Sequence, residues 1–352
     1  MKKKRYYLNI ACIVSIMFLF SCIICSGLSY AESSKALYPL AKKEGMVSFA
    51  GNLAAEMMAP LLKAFEEKYP GVQIKYLRKS TGPLLSLVET ERMADKISFD
   101  VVMLSDESHF IALHDKGYWQ KYKVENWDDI DEKFKEKNGY FTTMNVSAMV
   151  GGYNPLKIKP SEAPKTYRDF LLPKFKNMMS SSSPGRGGSG MSAVLNVLHN
   201  YGWDFVYKLK ANGNMCVRGH GSVVRMLVSG ERPIAWEISA YRALDQNKKG
   251  SPLNVIWFEE EGLPIYLNDM GIPAKAPHPN AGKLLANFLV SLEGQELMVK
   301  HVNRWSILSD ISAVPYGCKP LSQTKYYRPP LHDIVYNGPM VAQRWDEIFG
   351  LK

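Results

Sequence analysis

Histidine and cysteine, the side chains that most often build metal or nucleophile sites, are scarce here: seven His and five Cys in 352 residues. His109, His114, His199, His220, His278, His301 and His332 show no metal-ligand spacing, and no HExxH occurs. A zinc-hydrolase pattern is thereby excluded. A GxSxG nucleophile elbow is missing too, because Gly188-Ser189-Gly190 runs on into Met191, so no hydrolase, and no enzyme of any kind, is expected. Nor is there a basic stripe with interleaved aromatics. Acids and bases alternate, as in Glu132–Lys137 (EKFKEK), and a nucleic-acid partner is not expected. Beyond one serine run there is no low-complexity block or internal repeat, and after Ile24 no apolar run is long enough to cross a membrane.

Three of the cysteines, Cys12, Cys22 and Cys25, fall at the amino terminus. That segment opens with Lys2, Lys3, Lys4 and Arg5, continues as an apolar run from Leu8 to Ile24, and ends in Ser29-Tyr30-Ala31. Basic, apolar and small-residue regions in that order predict a secretory signal, residues 1–31, cleaved after Ala31. The competing reading is an uncleaved anchor, since the run approaches spanning length. Phe20 is bulky where a lipoprotein signal before Cys22 needs a small residue. An exported, periplasmic protein follows. Cys216 and Cys318, about 100 residues apart, remain as the pair a disulfide would need. Without the four signal cations, 40 Lys and Arg face 34 Asp and Glu, a formal +6 that reads as ordinary surface charge.

A hydrophobic content of 46% in a mature chain of this length is enough for two domains. Met46–Gly51 is a short apolar strand, and Met57, Leu61, Leu62 and Phe65 give helical spacing over Ala54–Tyr69, with Pro60 as a kink or first turn. Val72–Tyr76 alternates with period two; Leu84–Met93 is helical; Phe99–Leu104 is a continuous apolar strand followed by a helix to Gly117. Ala148–Asn154, Ile234–Ile238 and Val255–Trp257 read as further strands, with helices at Met191–Leu209, Ser222–Ser229 and Asn280–Val290. Strands alternating with helices predict α/β lobes with sheets covered on both faces.

One stretch invites a cofactor. Within Ser180–Gly190 (SSSSPGRGGSG), Gly185, Gly187 and Gly190 spell GxGxxG. A dinucleotide fingerprint needs an apolar strand before it and an acid about 20 residues on, and Phe175–Ser183 reads as a poor strand. A P-loop is excluded because Met191-Ser192 follows Gly190 instead of Lys-Ser. What survives is the physics beneath both motifs: a glycine-rich loop entering a helix leaves backbone N–H groups free for an anion. Gly187, Gly188 and Ser189 supply the amides and a cap, and Arg186 a two-pronged anion donor. The local alternative is a flexible surface connection.

Five segments in order carry a family resemblance: Ala64–Ile74 (AFEEKYPGVQI), Tyr118-Trp119, Gly152–Pro155 (GYNP), Tyr201–Leu209 (YGWDFVYKL) and His278–Gln295 (HPNAGKLLANFLVSLEGQ). The chain resembles the extracellular solute-binding proteins of ABC importers, in the ferric-iron-binding branch whose relatives take phosphonates, sugar phosphates and thiamine. The resemblance implies an α/β, two-lobed type II periplasmic-binding fold with two hinge crossovers, near Thr142–Ala148 and Glu259–Leu267. Lobe one would comprise residues 38–145 and 266–318, lobe two residues 146–265, and 319–352 would form a C-terminal extension beyond the family pattern. It also implies ligand contacts at the glycine-rich loop, a small-molecule ligand, an inner-membrane ABC permease as partner, and a monomer.

The iron-binding pattern breaks. Where that branch has adjacent tyrosines, Ala235–Arg242 (AWEISAYR) has only Tyr241, and the first-lobe turn Ala50–Ala54 has no histidine. Fe(III) as transported ligand would need Glu237 and Asp269 as further oxygen donors, and stays the alternative to a small anion. No resident cofactor is expected. Remaining ligand contacts are expected where strands end: Asn52, Ser80, Thr81, Ser105 and Asp106 from the first lobe, Glu237 and Tyr241 from the second, with Trp236 either core or stacking platform. Ser80 and Ser105 have a bland reading as helix caps. A rival function of another class is a ligand-sensing partner of a membrane sensor kinase.

Overall fold

A computed structural model describes residues 32–186, 188–217 and 219–351, without the side chain of Arg186. The expected signal, residues 1–31, lies outside the described residues. Residues 32–352 form one unit.

The chain alternates strand and helix at first: α1 (Ser34–Glu44), β1 (Met46–Gly51), α2 (Ala55–Lys68), β2 (Gln73–Arg78), α3 (Thr81–Met93), β3 (Val101–Leu104) and α4 (Glu107–His114). β1 lies parallel between β2 and β3. β3 shows why its sequence is continuously apolar: Val101 and Met103 enter the core under α1, α2 and α8 (Pro279–Val290), whereas Val102 and Leu104 enter a smaller core with Leu84, Phe110 and Trp119. Both faces are covered, so neither takes polar residues.

Two long strands then carry the sheet onward. β4 (Thr142–Tyr153) is buried throughout; its first half pairs antiparallel with β9 (Leu263–Gly271), its second half with β7 (Ile234–Ser239) and β8 (Asn254–Ile256). With β5 (Met179–Ser182) and β6 (Met215–Val217) the sheet runs β2-β1-β3-β9-β4-β7-β5-β6. The second half holds α5 (Gly188–Ala211), α6 (His220–Ser229) and α7 (Ala240–Lys248). α5 is interrupted at Gly202, whose φ of 65° and ψ of −171° only glycine takes without strain.

One sequence expectation fails here. Phe175–Ser183 does contain a strand, because β5 is fully buried and paired on both sides, with β6 and β7. Small serines fit that crowded position, and tertiary pairing overrides their weak strand propensity. The glycine-rich loop therefore does join a strand to a helix. The nucleotide reading still lacks its acid, since β6 leads into Arg218-Gly219-His220.

The C-terminal segment is part of the fold. β10 (Tyr326–Tyr327) pairs with β9, and Arg328 Nη2 reaches Glu107 Oε1 at the start of α4 at 2.8 Å. α10 (Gly338–Phe349) then packs Trp345 against Trp236 and Phe349 in the second-half core. Cys216 and Cys318 are both free thiols, so the disulfide does not form: Cys216 Sγ instead accepts from Trp345 Nε1 at 3.3 Å.

Candidate functional site

Parallel strands end together, and the residues just past those ends face one another across an open cleft of about 680 Å³. From the first half, Asn52 follows β1, Arg78 ends β2, Ser80 and Thr81 start α3, and Ser105 follows β3. From the second half come Ser182 at the end of β5 and Ser183 after it, Ser189 in the first turn of α5, Gly219 and His220 at the start of α6, and Ser239, Tyr241 and Arg242 at the start of α7. Tyr266 of β9 and Arg304 complete the lining.

Helix starts dominate this wall. The N-cap positions of α3, α6 and α7, namely Ser80, Gly219 and Ser239, make no side-chain capping bond. No side chain at these cap positions closes the three helix ends, although Ser222 N donates to Gly219 O and Pro83 has no N–H, and the positive ends of their dipoles point at the same space. α4 is different: the Asp106 carboxylate accepts from Ser108 N at 2.9 Å and fills its own helix end.

Charge is one-sided. Among the described residues, Arg78, Arg242 and Arg304 line the cleft, and no Asp or Glu does. Arg304 is only 1% exposed. Its Nη1 donates to Asn145 Oδ1 at 3.1 Å, its Nε has no partner among the described residues, and its guanidinium carbon lies 4.3 Å from the Tyr241 ring centre and 5.6 Å from that of Tyr266. A guanidinium stays charged at any relevant pH. Backbone geometry fixes it: a π turn over Met298–Val302 and Asn303 in the left-handed region (φ 55°, ψ 50°) precede it, and Trp305 pairs with Val146 of β4.

A buried polar chain supports the floor. Asn52 Nδ2 donates to Ser105 Oγ, which donates to Asn268 Oδ1; Asn268 Nδ2 then donates to Asn145 Oδ1 at 2.9 Å, the oxygen that holds Arg304. Such a connected network orients each member better than isolated contacts do. On the opposite wall, His220 Nε2 lies 2.6 Å from Glu237 Oε2 and 3.0 Å from Ser182 Oγ, and Glu237 Oε1 accepts from Ser182 N at 2.6 Å.

Of the residues expected at the site, Asn52, Ser80, Thr81, Ser105, Ser189 and Tyr241 are brought together in the cleft. Four are not. Asp106 caps α4. Trp236 is fully buried between Tyr167 and Trp345, and Glu237 is 1% exposed behind His220, because β7 is covered on both faces. Asp269 lies inside the sheet, where its Oδ1 accepts from Thr143 Oγ1 at 2.7 Å. Gly187 and the side chain of Arg186 lie outside the described residues. Gly188 opens α5.

The expected iron donors consequently do not converge: Tyr241 faces the cleft, Glu237 serves His220 and Ser182, and Asp269 serves Thr143. Burial also raises the Tyr241 phenol above the ordinary tyrosine value, against the lowering pull of Arg242 and Arg304, so the neutral phenol is the form beside these arginines.

Arg78, Arg242, Arg304, Tyr266 and His220 escaped the sequence reading. Arg78 carried the same signal as Ser80, a polar residue at a strand end. Arg304 carried none, since only the long-range Val146–Trp305 pairing brings it to the cleft.

Buried Asp269 gives a stability test. Burial pushes its carboxyl well above the usual carboxylate value, and nearby Glu107 adds to that. In the unfolded chain it ionises at the ordinary value, so between the two values the folded state binds the extra proton. Stability from this group is complete below the ordinary value and falls as pH rises, by at most about 1.4 kcal/mol per pH unit. Asp269→Asn is expected to be more stable than wild type in urea at about pH 8, with the difference shrinking toward about pH 5.

A larger groove, about 880 Å³, runs outside α5 and α10 past Trp203, Tyr207, Met340 and Arg344. Its Arg344 is solvent-exposed and lies 4.4 Å over the Trp203 ring; it holds no buried, unpaired charge. The smaller cleft is therefore the stronger candidate.

Known proteins agree with this architecture. Residues 96–308 match the family model described as bacterial extracellular solute-binding protein. A Salmonella typhimurium protein, described provisionally as a 2-aminoethylphosphonate-binding periplasmic protein, is 25% identical over 296 residues, covering 80% of this chain and 84% of its own. Among solved structures, AfuA of Actinobacillus pleuropneumoniae with fructose-6-phosphate bound superposes with a TM-score of 0.76 at 19% identity, over 88% of this chain and 99% of that one. Iron-bound HitA of Pseudomonas aeruginosa gives 0.73, also at 19%, over 85% and 99%. The fold is thus the type II periplasmic-binding fold that the sequence led us to expect.

Proposed function

The chain belongs to the bacterial extracellular solute-binding proteins, a family whose members bind small molecules for ABC permeases, and we propose that this one captures a small phosphorus oxyanion in its cleft for import. The observation that carries the reading is Arg304: a buried guanidinium with one neutral hydrogen-bond partner among the described residues calls for a charge that a bound anion supplies. Arg78, Arg242 and three open helix ends favour the same charge, and the phosphonate and sugar-phosphate ligands named for relatives fit it.

In this reading the protein acts in the periplasm as a monomer and breaks no bond. Asn52, Thr81 and Ser105 hold the ligand from residues 38–145 and 266–318, and Tyr241, Ser189 and the first turn of α5 hold it from residues 146–265. β4 and β9 are the crossovers about which these parts move. A ligand touching both sides binds the closed arrangement better and shifts the population toward it.

Native mass spectrometry on exported protein, purified without refolding, tests this. The expected spectrum carries an extra mass from a phosphate ester or phosphonate that chasing with excess ligand removes. A retained ferric ion with a tyrosinate absorption band would sink the reading.

A further inference from the structure

The three arginines of the cleft have no carboxylate beside them, and that absence bears on which oxyanion the cleft takes. Each acid near it is already engaged. Glu237 is buried and bound to Ser182 N and His220; Asp106 caps α4; Asp346 accepts from Ser183 Oγ at 2.7 Å; Asp269 is closed inside the sheet with Thr143. None of the residues outside the description is acidic. The acceptors left on the lining are neutral, such as the serine and threonine hydroxyls. The aromatic faces that would otherwise receive a cation are occupied: Arg304 sits against Tyr241 and Tyr266, and Arg242 lies 5.1 Å from the Tyr241 ring centre.

We infer that the cleft selects phosphorus oxyanions whose remainder is neutral and hydroxylated, and discriminates against those carrying an ammonium group. This inference rests on the function proposed above and narrows it. It separates the protein from its Salmonella relative, whose described ligand, 2-aminoethylphosphonate, bears such a group. The physical reason is twofold. An ammonium in this cleft stands near three guanidinium charges, and like-charge juxtaposition is among the costliest features of a binding site. It also gives up its hydration for neutral acceptors only, whereas a hydroxyl both donates to the serine oxygens of the lining and accepts from helix-start amides.

Two pairs of ligands test this by titration calorimetry on the exported protein, since each pair exchanges a hydroxyl for an ammonium at nearly constant shape. They are 2-hydroxyethylphosphonate against 2-aminoethylphosphonate, and glucose 6-phosphate against glucosamine 6-phosphate. Within whichever pair binds, the hydroxyl member is expected to bind at least about tenfold more tightly, with the gap narrowing at high salt. Equal or tighter binding of the ammonium member overturns the inference and leaves the oxyanion reading standing. Failure of all four, together with binding of ferric ion, overturns both.

Discussion

Arg304→Met should weaken oxyanion binding by roughly a hundredfold or more and, at the same time, raise the melting temperature of the ligand-free protein. The two signs come from one cause. Taking a guanidinium out of water costs several kcal/mol, and its single Asn145 contact with two aromatic faces recovers only part of that. The free protein carries this cost until an anion arrives. Replacing a buried charge with an apolar side chain of similar volume is often stabilising by about 1–4 kcal/mol, whereas removing one partner of a desolvated charge pair in a complex typically loses about 2–5 kcal/mol of binding. Thermal melts of both proteins without ligand, and titration with the retained ligand, read the two effects separately. Lower stability with unchanged affinity would make Arg304 a structural residue and remove the observation on which the functional reading stands.

The second large effect lies away from the ligand. Trp345→Ala is expected to destabilise the protein by about 3–5 kcal/mol, the usual loss when a large buried aromatic is truncated. Trp345 is 0% exposed, stacks 4.7 Å from Phe349 and sits 5.7 Å from Trp236. Urea unfolding measures the loss. Its reach extends to the cleft, because the next residue, Asp346, accepts from Ser183 Oγ at 2.7 Å and Ala342 lies where a Cβ on Gly185 would meet it at 3.1 Å. α10 thus holds the loop that carries the second-half amides. Asp346→Ala separates the two roles: ligand affinity is expected to fall while most of the stability remains. An unchanged affinity in that variant would show that the loop holds its position without α10.

The fold was largely readable because its signals are local. Met57, Leu61 and Phe65 mark a helix by spacing, Val101–Leu104 mark a two-faced strand by apolar continuity, and the five resembling segments supply the order of the lobes. Strand ends likewise pointed to Asn52, Thr81 and Ser105. Where reading failed, the deciding contact was distant in sequence. Ser180–Ser182 form a strand because β6 and β7 flank them. Glu237 looks like a ligand residue until His220 claims it, and Asp269 until Thr143 does. Arg304 becomes legible only once Trp305 is paired with Val146, more than 150 residues earlier. A strand's alternation also says which residues share a face, but not which face meets solvent, so Trp236 and Glu237 were both open to misplacement.

The place of Trp345 in the second-half core carries a meaning for the order of events in the cell. A chain made from its amino end exposes residues 146–265 long before residue 345 follows. Until then the face of Trp236 turned away from Tyr167 lacks its cover, and β9, which separates β3 from β4 in the sheet, has not yet met the β10 segment. Nascent chains gain structure from the amino end as they emerge, but contacts this far apart in sequence form late and slowly. The second-half core therefore closes only once the last segment of the chain is available to it.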